Sequence, residues 1–107
     1  MYTFDGREYD CPFECFIDII KGKWRTTILL VLVQEPLFFA ALQRAVQGIS
    51  AKVLTENLQV FERNGIIERT VHPTVPPSVE YSLTERGNKL IHVMQGINGW
   101  VDNFFGK

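Results

Sequence analysis

Apolar residues recur every three to four positions through most of the first 65 residues, which predicts a series of helices. Glycine, proline and capping residues separate these segments, so each helix can be given approximate ends. We predict four helices, over residues 12–21, 23–34, 38–46 and 50–64. The fourth is the best defined, because Ser50 is a favourable N-cap and the pair Asn64-Gly65 is typical of a helix C-terminus.

The fourth predicted helix has one apolar face and one polar face. Its apolar side chains form a narrow stripe made up of Val53, Leu54, Leu58 and Phe61. The opposite side carries four polar residues at helical spacing, Lys52, Thr55, Glu56 and Gln59. Because no large apolar residue interrupts that side, we expect it to point away from the core.

Beyond residue 65 the apolar positions alternate, which predicts β-strands. Residues 66–71 and 79–83 are rich in β-branched and aromatic side chains and form the arms of a hairpin. Three prolines lie between the arms, so their connection cannot pair regularly and should project as a loop. Thr84 then begins a final helix, predicted over residues 84–105.

The final helix has two apolar stripes, whereas the core of one domain can cover only one of them. We therefore predict that this helix, with the N-terminal arm of residues 1–10 or the first helix beside it, forms a dimer interface. The interface residues that we predict are Leu90, Met94, Ile97, Val101 and Phe104.

The predicted order of elements is four helices, two strands and a fifth helix within a single domain, residues 1–107. This mainly α-helical order with a small β-hairpin is that of a winged helix-turn-helix protein, whose fourth helix enters the DNA major groove and whose hairpin is the wing. The net charge of −1 does not itself indicate a nucleic-acid partner. However, residues 21–72 carry seven basic and four acidic side chains, which permits DNA binding.

A set of short motifs resembles the HxlR-type transcriptional regulators, a branch of the MarR-like winged-helix proteins of bacteria and archaea. The motifs are Cys11-Pro12, Gly22-Lys23-Trp24, Leu42 with Arg44, Gly48-Ile49-Ser50 followed by Lys52, Leu54 and Thr55, and the segment from Val75-Pro76-Pro77 to Val79-Glu80-Tyr81-Ser82-Leu83-Thr84. The resemblance covers roughly residues 10–104. It implies a homodimeric regulator, commonly a repressor and sometimes an activator, that binds a pseudo-palindromic operator in double-stranded DNA.

We expect DNA contacts from three parts of the chain. The candidate residues are Arg44 in the third helix, Ser50, Lys52, Thr55, Glu56 and Gln59 in the fourth, and Thr74 and Ser78 in the wing. Side chains of the fourth helix can reach base edges or phosphates, and its N-terminus can hold a phosphate. The family more often has Gln near positions 51 and 56, Arg near 59 and a basic residue at 78. Operator preference therefore does not carry over, and we expect weaker binding by the wing.

The two cysteines, Cys11 and Cys15, lie at the start of the first predicted helix. The peptide dipoles at a helix start favour a thiolate at Cys11, whereas the neighbouring acids Asp10 and Glu14 oppose it. Cys11 aligns with a cysteine by which several HxlR-type relatives sense electrophiles or oxidants. The resemblance thus implies a redox-sensing role for Cys11 with a small electrophile or oxidant as inducer. An inert thiol is the alternative, and we expect Cys15 to be buried.

No grouping of residues indicates an enzyme, a metal site or a cofactor. A Gly-rich phosphate loop is missing, and the spacing of the cysteines and of His72 and His92 fits neither a zinc finger nor a thiol oxidoreductase. Without a long apolar run or a signal peptide, the chain is expected to be cytoplasmic, with no membrane partner. Two alternatives to a DNA-binding regulator remain open. One is a winged-helix protein-interaction module, and the other is a small thiol-reactive protein acting through Cys11.

Overall fold

The computed structural model describes residues 1–107 and contains five helices and five short strands. The helices are α1 (Pro12–Ile20), α2 (Arg25–Leu32), α3 (Phe39–Ala45), α4 (Ala51–Arg63) and α5 (Glu85–Phe104). The strands are β1 (Tyr2–Phe4), β2 (Arg7–Tyr9), β3 (Leu37–Phe38), β4 (Ile67–His72) and β5 (Ser78–Leu83). This order of elements confirms the predicted winged helix-turn-helix fold.

The helix ends follow the capping residues of the sequence. The Ser50 hydroxyl accepts a hydrogen bond from the Val53 N–H at 3.1 Å, and the Thr84 hydroxyl accepts one from the Gly87 N–H at 3.1 Å. Gly65 follows α4 with φ +72°, a conformation that glycine adopts without steric cost. By contrast, α2 is shorter than the predicted 23–34, since it begins only after Trp24 and ends four residues before Pro36.

Two strand pairings extend beyond the predicted hairpin. Residues 1–10 are not a simple arm, because β1 and β2 pair antiparallel across a turn at Asp5-Gly6, with Phe4 and Tyr9 buried. Farther along the chain, β3 pairs with β5 and adds an edge to the wing, giving a three-stranded sheet in the order β3-β5-β4. The sheet therefore ties the start of α3 to the wing.

The core lies between α2, α4, the base of the sheet and the first half of α5. It includes Ile28 and Leu29 of α2, which are fully buried, and the predicted residues Leu54, Leu58 and Phe61 of α4. At Gly87, α5 passes so close to the chain before β4 that an added Cβ would overlap the Ile66 carbonyl oxygen. This close approach fixes the start of α5 against the base of the wing.

The structure divides the residues that we predicted for a dimer interface. Met94 is only 6% exposed and belongs to the core of its own protomer, and Leu90 packs partly against that core. Ile97, Val101 and Phe104 are exposed, because the second half of α5 extends beyond the residues that bury the first half. Met94 is therefore corrected to a core residue, and the interface prediction moves toward the C-terminus of α5. None of the five helices is long and apolar enough to cross a membrane.

Candidate nucleic-acid interface

The helix-turn-helix unit consists of α3, the turn at residues 46–50 and α4. Val46 and Ile49 anchor the turn by burying their side chains. Gly48 lies between them with φ +88°, and a Cβ at this glycine would contact the Trp24 ring at 3.6 Å. The ring packs partly against the core and carries the Lys23 ammonium 4.7 Å from its centroid. The turn between α3 and α4 is therefore anchored in the core by Val46 and Ile49 and lies beside the Trp24 ring.

Arg25 holds α4 from the side facing α1. Its Nε donates to the Asn57 Oδ1 at 3.3 Å, and its Nη1 donates to the Asp18 carbonyl at 2.9 Å. The guanidinium therefore links α4 to the last turn of α1, where carbonyl groups lack helical partners. This role cannot be predicted from the sequence, since Arg25 has no periodic or motif signal that distinguishes it from a surface cation.

The polar face of α4 is exposed, as predicted, but one of its cations has a partner. Lys52, Glu56 and Gln59 are exposed and Thr55 is half-buried. The Lys52 ammonium lies 4.0 Å from the Glu56 carboxylate, one helical turn away. Glu56 thus neutralises part of the charge that Lys52 could offer to a phosphate. Thr55 and Gln59 make no side-chain hydrogen bond within the protein, so both remain free to contact a partner.

A groove of about 700 Å³ separates α4 from the wing sheet. The α4 wall carries Thr55, Gln59 and the charged residues Glu62 and Arg63, and Arg69 of β4 and Tyr81 of β5 line the other wall. Arg69 is exposed and forms no ion pair, so it is a cation available at this groove. Sequence reasoning missed Arg69, although strand alternation gives a signal, since Arg69 shares a face with the buried Ile67.

The wing tip offers few hydrogen-bond donors. The Thr74 hydroxyl donates to the Pro76 carbonyl at 2.7 Å, and the Ser78 hydroxyl lies 3.2 Å from the Thr74 oxygen. Because Thr74 has already used its proton, Ser78 is the donor of the second bond, and neither proton is free for a phosphate. Val75 at the tip is fully exposed. Thr74 and Ser78, the two wing residues predicted to contact DNA, therefore form hydrogen bonds within the loop and stabilise its shape. The Val75–Pro76 peptide of this loop is cis.

Arg44 and Ser50 lie on either side of the helix-turn-helix turn. Arg44 is exposed in the last turn of α3 and borders a concavity of about 480 Å³ beside the turn. The Ser50 oxygen caps α4, and its proton remains available to donate. Arg44 and Ser50 therefore occupy positions suited to phosphate contacts. These positions lie outside the groove that Thr55, Gln59 and Arg69 line.

The N-terminal hairpin connects the end of α4 to α1. The Asp5 carboxylate accepts hydrogen bonds from Arg63 at 3.0 and 3.2 Å, and the bonds from Arg63 hold the pKa of Asp5 below its ordinary value. On the other strand, the Tyr9 hydroxyl donates to Asp18 at 2.5 Å. This bond raises the pKa of Tyr9 and lowers the pKa of Asp18. Polar contacts therefore fix the hairpin at its turn, through Asp5, and at its last residue, through Tyr9.

The two cysteines occupy different environments at the start of α1. Cys11 is half-buried at the N-cap position and Cys15 is buried, as predicted, and both are free thiols. No group of three or more His, Cys, Asp or Glu side chains is arranged to hold a metal ion.

The helix-turn-helix unit, the exposed polar face of α4 and the adjacent hairpin together define a winged helix-turn-helix protein. The HxlR-like helix-turn-helix family model matches residues 19–107, and the chain belongs to this family of transcriptional regulators. The match covers every element from the last turn of α1 onward. The N-terminal hairpin and both cysteines lie outside the matched range.

Relatives extend the similarity over nearly the whole chain. YdeP of Bacillus subtilis, an uncharacterized HTH-type transcriptional regulator, is 38% identical over 103 residues, which are 96% of this chain and 80% of YdeP. The crystal structure of a protein from Enterococcus faecalis V583, assigned to the MarR family of transcriptional regulators, superposes with a TM-score of 0.86 at 28% identity, covering 98% of this chain and 96% of that one. The reduced form of the redox regulator HypR superposes with a TM-score of 0.79 at 33% identity, covering 87% and 92% of the two chains.

Proposed function

We propose that the protein acts as a homodimer that binds a pseudo-palindromic operator and represses transcription, with α4 in the major groove. The observation that carries the proposal is the free polar face of a helix that the turn and Arg25 hold in place. Thr55 and Gln59 on that face have uncommitted hydrogen-bonding groups, and Arg69 adds a free cation across the groove. Such a face can read base edges and contact the backbone beside them.

The proposed dimer rests on the second half of α5. Its exposed apolar residues are Ile97, Trp100, Val101 and Phe104, with the exposed Val93 one turn before them and Phe105 directly after the helix. Trp100 and Phe104 stack with ring centroids 5.4 Å apart, which concentrates aromatic surface at the end of the helix. A contiguous apolar surface of this kind marks an interaction site, and a second copy of the chain would cover it. A dimer also supplies the two recognition helices that a palindromic operator requires.

Selection of operators from random duplexes, followed by titration of variants, tests the proposal. Thr55→Ala and Gln59→Ala should each lower the discrimination between operator and random DNA by about 1–3 kcal/mol if each side chain makes a good base contact. Gln95→Ala, an exposed glutamine on α5, is the matched control. If both α4 variants bind as the unmodified protein does, α4 is not the reading helix. If the unmodified protein shows no salt-sensitive binding to random DNA, the protein-interaction module is favoured instead.

Control by modification of Cys11 forms the second part of the proposal. Cys11 is the more exposed of the two thiols, and similarity to HypR, a redox regulator, supports a thiol-dependent response. With N-ethylmaleimide, the Cys11 sulfur forms a bond to an alkene carbon and the neighbouring carbon takes the proton. Mass spectrometry after brief, dilute treatment should find the adduct on Cys11 before Cys15. Labelling of Cys15 first, or full labelling of Cys11 with unchanged operator affinity, would contradict the sensing role.

A further inference from the structure

The Tyr81 hydroxyl is a hydrogen-bonding group without a partner in the protein. Tyr81 of β5 is only 8% exposed, and its ring lies beside the Phe39 ring with centroids 6.4 Å apart. Every fully buried side-chain oxygen or nitrogen has a hydrogen-bond partner, so the unpaired hydroxyl must reach the surface. The concave surface that Tyr81 lines is the groove between α4 and the wing sheet. A buried ring therefore presents a free hydroxyl donor to this groove.

Arg69 places a charged donor beside that hydroxyl. It lies directly opposite Tyr81 in the antiparallel pairing of β4 with β5. Side chains at directly opposite positions share one face of a sheet, with Cβ atoms about 4.5–5.5 Å apart. The next pair on this face is Ile67 with Leu83, and the burial of Ile67 shows that the face is the inner one. Arg69 is exposed and forms no ion pair, so its guanidinium and the Tyr81 hydroxyl are free on the same wall.

The acid on the α4 wall limits where an anion can lie in the groove. Glu62 lines the groove near the C-terminal end of α4, next to Arg63, whose guanidinium is bound to Asp5. Thr55 lines the same wall seven residues earlier, about 10 Å along the helix axis. An anion held by the opposite wall therefore lies toward the Thr55 end, away from the Glu62 carboxylate.

We infer that Tyr81 and Arg69 together bind one phosphate of the DNA backbone. The inference rests on the proposed docking of α4 in the major groove. That groove is about 12 Å wide and admits one helix or one two-stranded ribbon, so the wing beside α4 has to lie across the adjacent sugar-phosphate strand. This strand then passes between α4 and the wing. One of its phosphates accepts a hydrogen bond from the Tyr81 hydroxyl and pairs with the Arg69 guanidinium.

Tyr81→Phe tests the hydroxyl, because it removes one oxygen and keeps the ring. The variant should bind a random duplex and an operator selected from random duplexes more weakly by the same factor, at least about tenfold, since a phosphate carries no sequence information. Its free energy of unfolding in urea should be unchanged, because the hydroxyl has no partner in the protein. Tyr2→Phe, at an exposed tyrosine of the N-terminal hairpin, is the matched control and should bind as the unmodified protein does.

Arg69→Gln separates the charged donor from the uncharged one. It should make the slope of log K against log salt concentration shallower by about 0.9 per protomer, whereas Tyr81→Phe should leave the slope unchanged. Arg7→Gln removes an exposed arginine of the N-terminal hairpin and is the control for net charge. Its slope should match that of the unmodified protein.

Replacing each phosphate of the operator in turn by an uncharged methylphosphonate locates the contact. One position in each half-site should weaken binding by the unmodified protein and have a smaller effect on Tyr81→Phe, because both changes remove the same contact. The absence of such a position would overturn the inference.

The affinity measurements distinguish failure of this inference from failure of the proposed function. If the unmodified protein binds random DNA in a salt-sensitive manner and Tyr81→Phe binds equally well, only the phosphate site is wrong. If the unmodified protein binds neither duplex, the proposed function fails and the site with it. A loss of folding stability in Tyr81→Phe, an equal effect of Tyr2→Phe, or a changed ratio of operator to random affinity would each overturn the assignment of the hydroxyl to a phosphate.

Discussion

Replacement of Glu56 by Gln should strengthen the binding of random duplex DNA. In the structure the Glu56 carboxylate lies 4.0 Å from the Lys52 ammonium on the exposed face of α4, where it neutralises that cation and would itself repel a phosphate. Glu56→Gln keeps the shape and hydrogen-bonding capacity of the side chain and removes its charge. Exposed ion pairs of this type contribute only about 0.3–0.5 kcal/mol to stability, so the fold should be unaffected.

The size of the effect follows from counterion release. Each phosphate newly neutralised by a freed lysine makes the slope of log K against log salt concentration steeper by about 0.9. The proposed dimer would have two copies of Lys52, so the slope should change by up to about 1.8. Between roughly 50 and 200 mM salt, the variant should therefore lose about tenfold more affinity than the unmodified protein does.

Fluorescence anisotropy of a labelled random duplex, measured over that salt range, checks the prediction. Glu85→Gln is the matched control, because Glu85 pairs with Lys89 at 3.4 Å over the same i, i+4 spacing on α5. An unchanged slope for Glu56→Gln would show that Glu56 does not keep Lys52 from contacting phosphate. Equal changes in the two variants would show that only net charge matters. Either result would refute the prediction that Glu56, through its position beside Lys52, weakens phosphate binding.

Three further predictions concern the stability and assembly of the protein. Gly87→Ala should lower the free energy of unfolding by about 1–3 kcal/mol in urea denaturation, because its Cβ would meet a backbone oxygen that cannot move aside. Unchanged stability would show that α5 shifts freely. Ile97→Glu with Val101→Glu should give folded monomers in sedimentation, since both positions are exposed in the protomer, and a persistent dimer would rule out this interface. The lowered pKa values of Asp5 and Asp18 stabilise the folded hairpin above about pH 4, the ordinary carboxyl range, and this contribution is lost as the pH falls further. On acidification, the protection factors of the amides of residues 2–9, which correct exchange rates for their intrinsic pH dependence, should fall before those of the core helices. Protection factors that do not change with pH would contradict the anchoring.

The parts of the fold that the sequence could predict are those determined by neighbouring residues. Ser50, Gly65 and Thr84 mark helix ends because each satisfies backbone groups a few residues away. The apolar stripe of α4 likewise depends only on helical periodicity. Short-range chemistry was therefore sufficient for the helices and for the two strands of the wing.

The unpredicted features depend on contacts between distant parts of the chain. The two residues of β3 have no periodicity of their own and become a strand only because Tyr81 and Glu80 lie opposite them. The Asp5-Gly6 pair is a recognisable hairpin signal, but strands of three residues are stable here because Phe4 and Tyr9 reach the core and Asp5 binds Arg63. In the same way, the proximity of Arg69 to α4 requires the sheet to be folded.

On the proposed DNA face, the distribution of cations limits what phosphate contacts can contribute to binding. Lys52 is paired with Glu56, Arg63 is paired with Asp5, and the wing tip carries no cation at all. Arg44, Arg69 and Lys23, which lies over the Trp24 ring beside the turn, are then the exposed cations near α4 without an ion pair. Arg25 is bound to Asn57 and to the Asp18 carbonyl, so the number of cations available for phosphate binding is small. Because phosphate contacts supply most non-specific affinity, this surface should hold random DNA weakly. In the proposed mode of binding, discrimination then rests on base contacts from Thr55 and Gln59 of α4, which are uncharged.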